Sequence, residues 1–147
     1  MLDTKDQRIL AELMADGRKP VVEIADELQV PRATVQERMK RMVESGVIRK
    51  FVAVPDYSKL GKRVTAYILV SFRSEENVSQ RGLALKIARL LEVHEVSVIS
   101  GQWDIVVKVR ADSVEDVGLF VTEKLRTMKG IEKTETCVCF ESIKEGV

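Results

Sequence analysis

Apolar residues recur at helical spacing three times within the first third of the chain. Ile9, Leu10, Leu13 and Met14 share one face of a first helix, with Thr4 and Gln7 placed as a capping box ahead of it and Gly17 as its stop. A second stripe, Ile24, Ala25 and Leu28, predicts a short helix over residues 21–28. The third, Val35, Met39 and Met42, predicts a helix over residues 31–44, opened by Pro31 in its first turn and closed by Gly46 in a left-handed conformation. Three short helices with short joints make a helix-turn-helix unit. Residues 47–54 are rich in β-branched side chains and read as a strand or wing. Pro55 ends that run, and residues 56–61 have the composition of a turn and linker.

From Val64 the period changes. Residues 64–72 read as a strand, 79–91 as a helix carrying Leu83, Ile87, Leu90 and Leu91, and 95–100 and 104–109 as two more strands around Gly101. Ser113 with Asp116 caps a helix that runs to about Met128 and stops at Gly130, and residues 131–140 close as a strand. The order β-α-β-β-α-β is that of a ferredoxin-like sheet with both helices on one face. The expected fold class is therefore α+β, with a winged helix-turn-helix over residues 1–50, a hinge over 51–62 and a ferredoxin-like domain over 63–147. In the first strand Val64, Ala66, Ile68, Val70 and Phe72 form one side, but Tyr67 and Leu69 lie on the other. Val138 and Phe140 likewise oppose Cys137 and Cys139. Apolar residues on both faces call for a second cover, most simply the same sheet of another copy, so a homodimer is expected.

Composition adds little until it is divided. The chain of 147 residues has a net charge of +1, yet residues 2–27 hold four cations against seven carboxylates. Residues 32–50 hold six cations (Arg32, Arg38, Lys40, Arg41, Arg49, Lys50) against Glu37 and Glu44. Positive charge confined to the third helix and its exit is the footprint of a phosphate-binding surface. No apolar run is long enough to span a membrane and the start of the chain does not read as a secretion signal, so the cytoplasm is the expected location. Cys137 and Cys139 point to one side of a strand and read as a buried, reduced pair. His94 is the only histidine, so no metal site and no resident cofactor are assigned.

With Val35, Met39 and Met42 turned inward, Arg32, Ala33, Thr34, Gln36, Glu37 and Lys40 occupy the accessible side of the third helix. A guanidinium at Arg32 can take a guanine edge, the Gln36 amide an adenine, and Ala33 or the Thr34 methyl a thymine methyl. Arg38, Lys40, Arg41, Arg49 and Lys50 read as phosphate contacts. Double-stranded DNA is the implied partner.

Particular residues then narrow the family. Leu2-Asp3 with Asp6, Ile9 and Leu10; Gly17-Arg18; Ile24-Ala25 and Leu28; Thr34-Val35 with Arg38; Gly46-Val47-Ile48; Gly61; Gly101-Gln102-Trp103-Asp104; and Thr134 to Thr136 together resemble the Lrp/AsnC family of feast/famine regulators over nearly the whole chain. The resemblance implies a transcription regulator whose C-terminal domains pair through their sheets and whose dimers assemble further into tetramers or octamers. It also implies a small effector, often an amino acid, bound between dimers near Ser100, Gly101, Gln102, Trp103 and Asp104 and near Thr134, Glu135 and Thr136. Family members commonly carry Ser at the position of Pro31, and an acidic residue and a tyrosine at those of Gln102 and Trp103. Two other readings compete: an architectural protein that compacts DNA without sequence preference, and a relative of the sirohaem decarboxylases working through His94. No catalytic residue is assigned.

Overall fold

The computed structural model describes residues 2–75 and 77–145. Three helices, α1 (Thr4–Ala15), α2 (Val21–Leu28) and α3 (Arg32–Glu44), form the N-terminal unit. They are held by the predicted stripes: Ile9, Ile24 and Val35 are fully buried, with Met42 beside them and Leu13, Ala25, Leu28 and Ile48 at the margin. Gly46 has φ +74, so the left-handed stop after α3 forms as expected.

Three local expectations for α1 fail. The N-cap of α1 is Asp3, not Thr4: its carboxylate accepts from the Asp6 amide at 2.8 Å while the Asp6 carboxylate accepts from the Asp3 amide at 3.1 Å. A carboxylate is the better acceptor here and also opposes the positive end of the helix dipole. Gly17 is not left-handed; α1 ends instead at Asp16, whose side chain takes the Arg18 amide at 2.8 Å in an Asx turn. Met14, placed on the inward stripe by spacing, is exposed.

Residues 47–54 carry no strand pairing. Among the described residues of this unit there are three helices and no second strand to form a ladder, so the β-branched composition yields an extended segment. Ile48 anchors it in the helical core, while Phe51, Val52 and Val54 stay exposed.

The chain divides into two compact units between Val54 and Pro55. After a 3₁₀ turn at Tyr57–Leu60, the second unit runs β1 (Val64–Phe72), α4 (Gln80–Ile87), β2 (Val93–Val98), β3 (Ile105–Ala111), α5 (Val114–Leu119) and β4 (Ile131–Cys139). The sheet order is β2-β3-β1-β4, all antiparallel neighbours, which is the ferredoxin-like arrangement expected from the element order. Ala66, Ile68 and Val70 of β1 and Ile105, Val107 and Val109 of β3 meet Leu83, Ile87, Val117, Phe120 and Leu125 from the helices in a single core. After Leu119 the last helix continues as a π turn, Phe120–Leu125, in which the Arg126 amide reaches the Val121 carbonyl at 2.9 Å.

Register fixes the two faces of the sheet. Val138, Thr136 and Thr134 lie opposite Ala66, Ile68 and Val70, whereas Cys137 and Glu135 lie opposite Tyr67 and Leu69 on the face without helices. Cys137 is accordingly exposed and Cys139 half-buried, so the pair is not in the core as expected. That open face is mixed: Tyr67, Leu69 and Val106 are half-buried among Lys108 and Arg110. Arg110 stacks on the Tyr57 ring at 3.9 Å and, with Lys108, meets the Glu145 carboxylate at 2.8 and 3.5 Å. Ile68, fully buried at the centre of β1, tests the packing. Replacing it with Ala is expected to cost about 2–5 kcal/mol in urea unfolding of the second unit.

Candidate functional site

The recognition surface is built on α3. Pro31 precedes it with φ −58, already in the helical range, and offers its carbonyl to the Thr34 amide at 2.9 Å; no side chain caps the start. Val35 and Met42 are buried and Met39 half-buried, so the helix rotation is the one the stripe predicted. Arg32, Ala33, Gln36, Glu37 and Lys40 are exposed, and Thr34 is half-buried. Arg49 and Lys50, two and three residues past the Gly46–Val47 turn, are exposed as well.

Arg38 departs from its expected role. Its guanidinium is 19% exposed and donates to Asp3 Oδ2 at 2.6 Å and Asp6 Oδ1 at 2.7 Å. It therefore serves the fold, tying the start of α1 to the middle of α3. Arg41 joins the same carboxylate at 3.0 Å but is 58% exposed, leaving much of its guanidinium open to solvent. Lys40 makes only a loose pair with Glu44 at 3.8 Å.

Asp6 is the centre of this cluster and was missed as a functional residue. It is 2% exposed, and burial alone would raise its pKa. The Arg38 hydrogen bond and the Asp3 amide outweigh that and hold it below the usual carboxylate range. The Asp6 amide, then the Arg38 side chain, lower Asp3 from 3.8 to about 2. The signal was present: Asp6 stands three, four and seven residues before Ile9, Leu10 and Leu13, a charge on an apolar stripe.

The second set of candidates meets at one end of the sheet. Gly101 has φ +122, which a side chain would resist, and turns β2 into β3. The Asp104 carboxylate accepts the Phe72 amide at 2.7 Å across the irregularity at Ser71/Phe72, and the Asp104 amide donates to the Val70 carbonyl at 3.0 Å. Val70 pairs with Thr134 on its other side. The hairpin and the first half of β4 thus flank the same stretch of β1, about 10 Å apart by two strand spacings. Ser100, Gly101 and Gln102 are exposed, Trp103 and Asp104 half-buried. Thr134 and Thr136 share one face and Glu135 points to the other, so the three do not converge. His94 packs edge-on against Tyr57 at 4.8 Å; burial, then Arg110 and Lys108, lower its pKa. Among the described residues no group of His, Cys, Asp and Glu is arranged to hold a metal ion.

A helical triad presenting one basic helix, joined to a ferredoxin-like sheet, defines a two-part regulator with a DNA-reading head. The family model of the Lrp/AsnC ligand binding domain matches residues 65–147, and that of a winged helix-turn-helix DNA-binding domain matches residues 2–49. An uncharacterized HTH-type transcriptional regulator of Pyrococcus abyssi is 40% identical over 147 residues, covering 100% of this chain and 98% of the relative. The L-methionine complex of a transcriptional regulator from Neisseria meningitidis has TM-score 0.92 at 22% identity, over 99% of this chain and 94% of the other. Escherichia coli AsnC has TM-score 0.88 at 24% identity, over 100% and 97%. The chain belongs to the Lrp/AsnC family and is a DNA-binding transcription regulator.

The sign of the Asp3 and Asp6 shifts sets a prediction. Both carboxyls are lowered in the folded state, so their contribution is complete above the ordinary value of 3.8 and fades as pH falls toward about 2. Thermal unfolding of the N-terminal unit should be flat above about pH 5 and drop steeply below pH 4. Asp6→Ala should lose about 3 kcal/mol at pH 7, the low end for a buried pair stripped of one partner, and flatten that acid limb.

Proposed function

We propose that the chain reads DNA with the exposed side of α3, Arg32, Ala33, Thr34, Gln36 and Glu37 meeting base edges while Lys40, Arg41, Arg49 and Lys50 hold phosphates. The observation that carries this reading is the division of cations on one helix: Arg38 is turned into the fold, whereas Arg32 and Lys40 are exposed and Arg41, although it also reaches Asp6, keeps 58% of its side chain exposed. Asp6 steadies Arg41 from behind, so its guanidinium meets a phosphate already oriented.

Arg32→Ala and Gln36→Ala should each relax preference at one base position and cost about 1–3 kcal/mol on the preferred site. Arg49→Ala should weaken all sequences alike and reduce the salt slope of binding by about 1. Fluorescence anisotropy on a randomised half-site library separates the two patterns; equal losses everywhere would favour a DNA-compacting protein without sequence preference.

The same reading places the protein in the cytoplasm as a homodimer, the open sheet faces with Tyr67, Leu69 and Val106 packed together, and dimers joined into tetramers or octamers. Analytical ultracentrifugation at micromolar concentration should show no stable monomer. An amino-acid effector is the regulatory partner, as the N. meningitidis regulator of this fold holds L-methionine. Its ammonium would meet Asp104, whose Oδ1 is not used by the Phe72 amide, and its carboxylate the Ser100 or Thr134 hydroxyl. Gln102, Trp103 and Thr136 are further candidates for that contact, whereas Glu135, on the open face, would meet an effector only from the other side of the sheet. Asp104→Ala should abolish any shift of DNA affinity by amino acids while leaving affinity without them unchanged.

A further inference from the structure

At the start of β1, Thr65 lies opposite Arg110 of β3 on one side and Cys139 of β4 on the other. Arg110 and Cys139 are therefore about 10 Å apart, two strand spacings. Beyond Cys139 the chain turns, with the Cys139 thiol donating to the Glu141 carbonyl at 3.4 Å, and Glu145 returns to this row on the open face of the sheet. Both Glu145 oxygens accept from Arg110 Nη2, at 2.9 and 2.8 Å, and Lys108 Nζ stands 3.5 Å from one of them. The two cations are 10% and 9% exposed. The Arg110 hydrogen bond, then the charges of Arg110 and Lys108, hold the Glu145 carboxyl below its usual range despite its partial burial. Phe140 and Ile143 in the same segment are exposed, so an ion pair and not apolar burial docks it.

Arg110 has a second partner, from the opposite end of the unit. Its guanidinium carbon lies 3.9 Å from the centroid of the Tyr57 ring, which also packs edge-on against His94 at 4.8 Å. Tyr57 opens the 3₁₀ turn Tyr57–Leu60, two residues after Pro55, where the second unit begins. The Gly61 amide closes that turn on the Ser58 carbonyl at 3.2 Å, and the Lys62 amide on the Tyr57 carbonyl at 2.9 Å. The two partners use different parts of one planar group: the carboxylate takes N–H bonds in the plane, and the ring takes the face. Whichever docks first orders a long side chain that the other then finds already fixed. Because Arg110 and Lys108 stand on the open face, release of Glu145 returns them to water and leaves no charge stranded in the core, so the contact can open.

We propose that Glu145 is a latch on the entrance to the second unit: docked on Arg110 it holds Tyr57 and the turn of residues 57–60 against the sheet, and released it frees that turn. The coupling is reciprocal, so loss of the Tyr57 ring loosens the segment carrying Glu145. The latch occupies the row of Thr65 and Arg110, two rows along the open face from Leu69 and Val106. It therefore stands apart from both the sheet pairing and the effector hairpin, and does not depend on the regulatory reading above.

The test is amide hydrogen exchange on the full-length ¹⁵N-labelled protein without DNA. Glu145→Gln should speed exchange of the Gly61 and Lys62 amides about threefold or more and leave the amides of β1 at wild-type rates. Glu141→Gln, which removes the same charge from the same segment at an exposed position, should change neither. From the other end, Tyr57→Leu should lower the heteronuclear NOE of the Lys144 and Glu145 amides, which tests the coupling independently of the Glu145 variant. Wild-type exchange of Gly61 and Lys62 in Glu145→Gln, an equal rise in Glu141→Gln, a matching rise throughout β1, or an unchanged NOE in a folded Tyr57→Leu would each overturn the proposal.

Discussion

The buried carboxylate of Asp6 is the interaction on which the DNA-reading surface depends. A lone ionised carboxylate cannot stay at 2% exposure without partners. Here it has three: the Asp3 amide at the helix start, Arg38 and Arg41. Those bonds join residues 32 and 35 positions apart in the chain, so a single group at the start of α1 fixes the rotation of α3. Rotation decides which side chains face outward. The same carboxylate draws Arg38 into the fold, at 19% exposure, and holds Arg41 only by its edge, at 58% exposure.

Periodicity carried most of the architecture because helices and strands declare their buried faces locally. The α3 stripe of Val35, Met39 and Met42 gave the right rotation, and the alternation of Ala66, Ile68 and Val70 gave the helix-covered face of the sheet. What was not legible depended on distant partners. Arg38 looks like any exposed cation in a basic helix until Asp3 and Asp6 are seen beside it. The β-branched run of residues 47–54 looks like a strand until the absence of a neighbouring strand in the helical unit is seen. The start of α1 moved by one residue because Asp3 competes successfully with Thr4 as the cap.

The effector candidates divide in the same way. A glycine turn and an acidic residue at Asp104 were visible in the sequence, but their attachment to β1 was not. The Asp104 carboxylate holds the Phe72 amide at a register shift, so the hairpin is anchored to the strand that also pairs with Thr134. That arrangement links the hairpin to the centre of the sheet without any covalent neighbour.

Amide-shift mapping of the full-length protein on a duplex carrying its preferred site tests the central account most directly. The largest changes should fall on residues 32–37 and 40–41 of α3 and on Arg49 and Lys50, while the Asp6 amide and the Arg38 side-chain signal keep their free-state positions. Changes centred on α1 or α2, or release of Arg38 from Asp6 on binding, would contradict it.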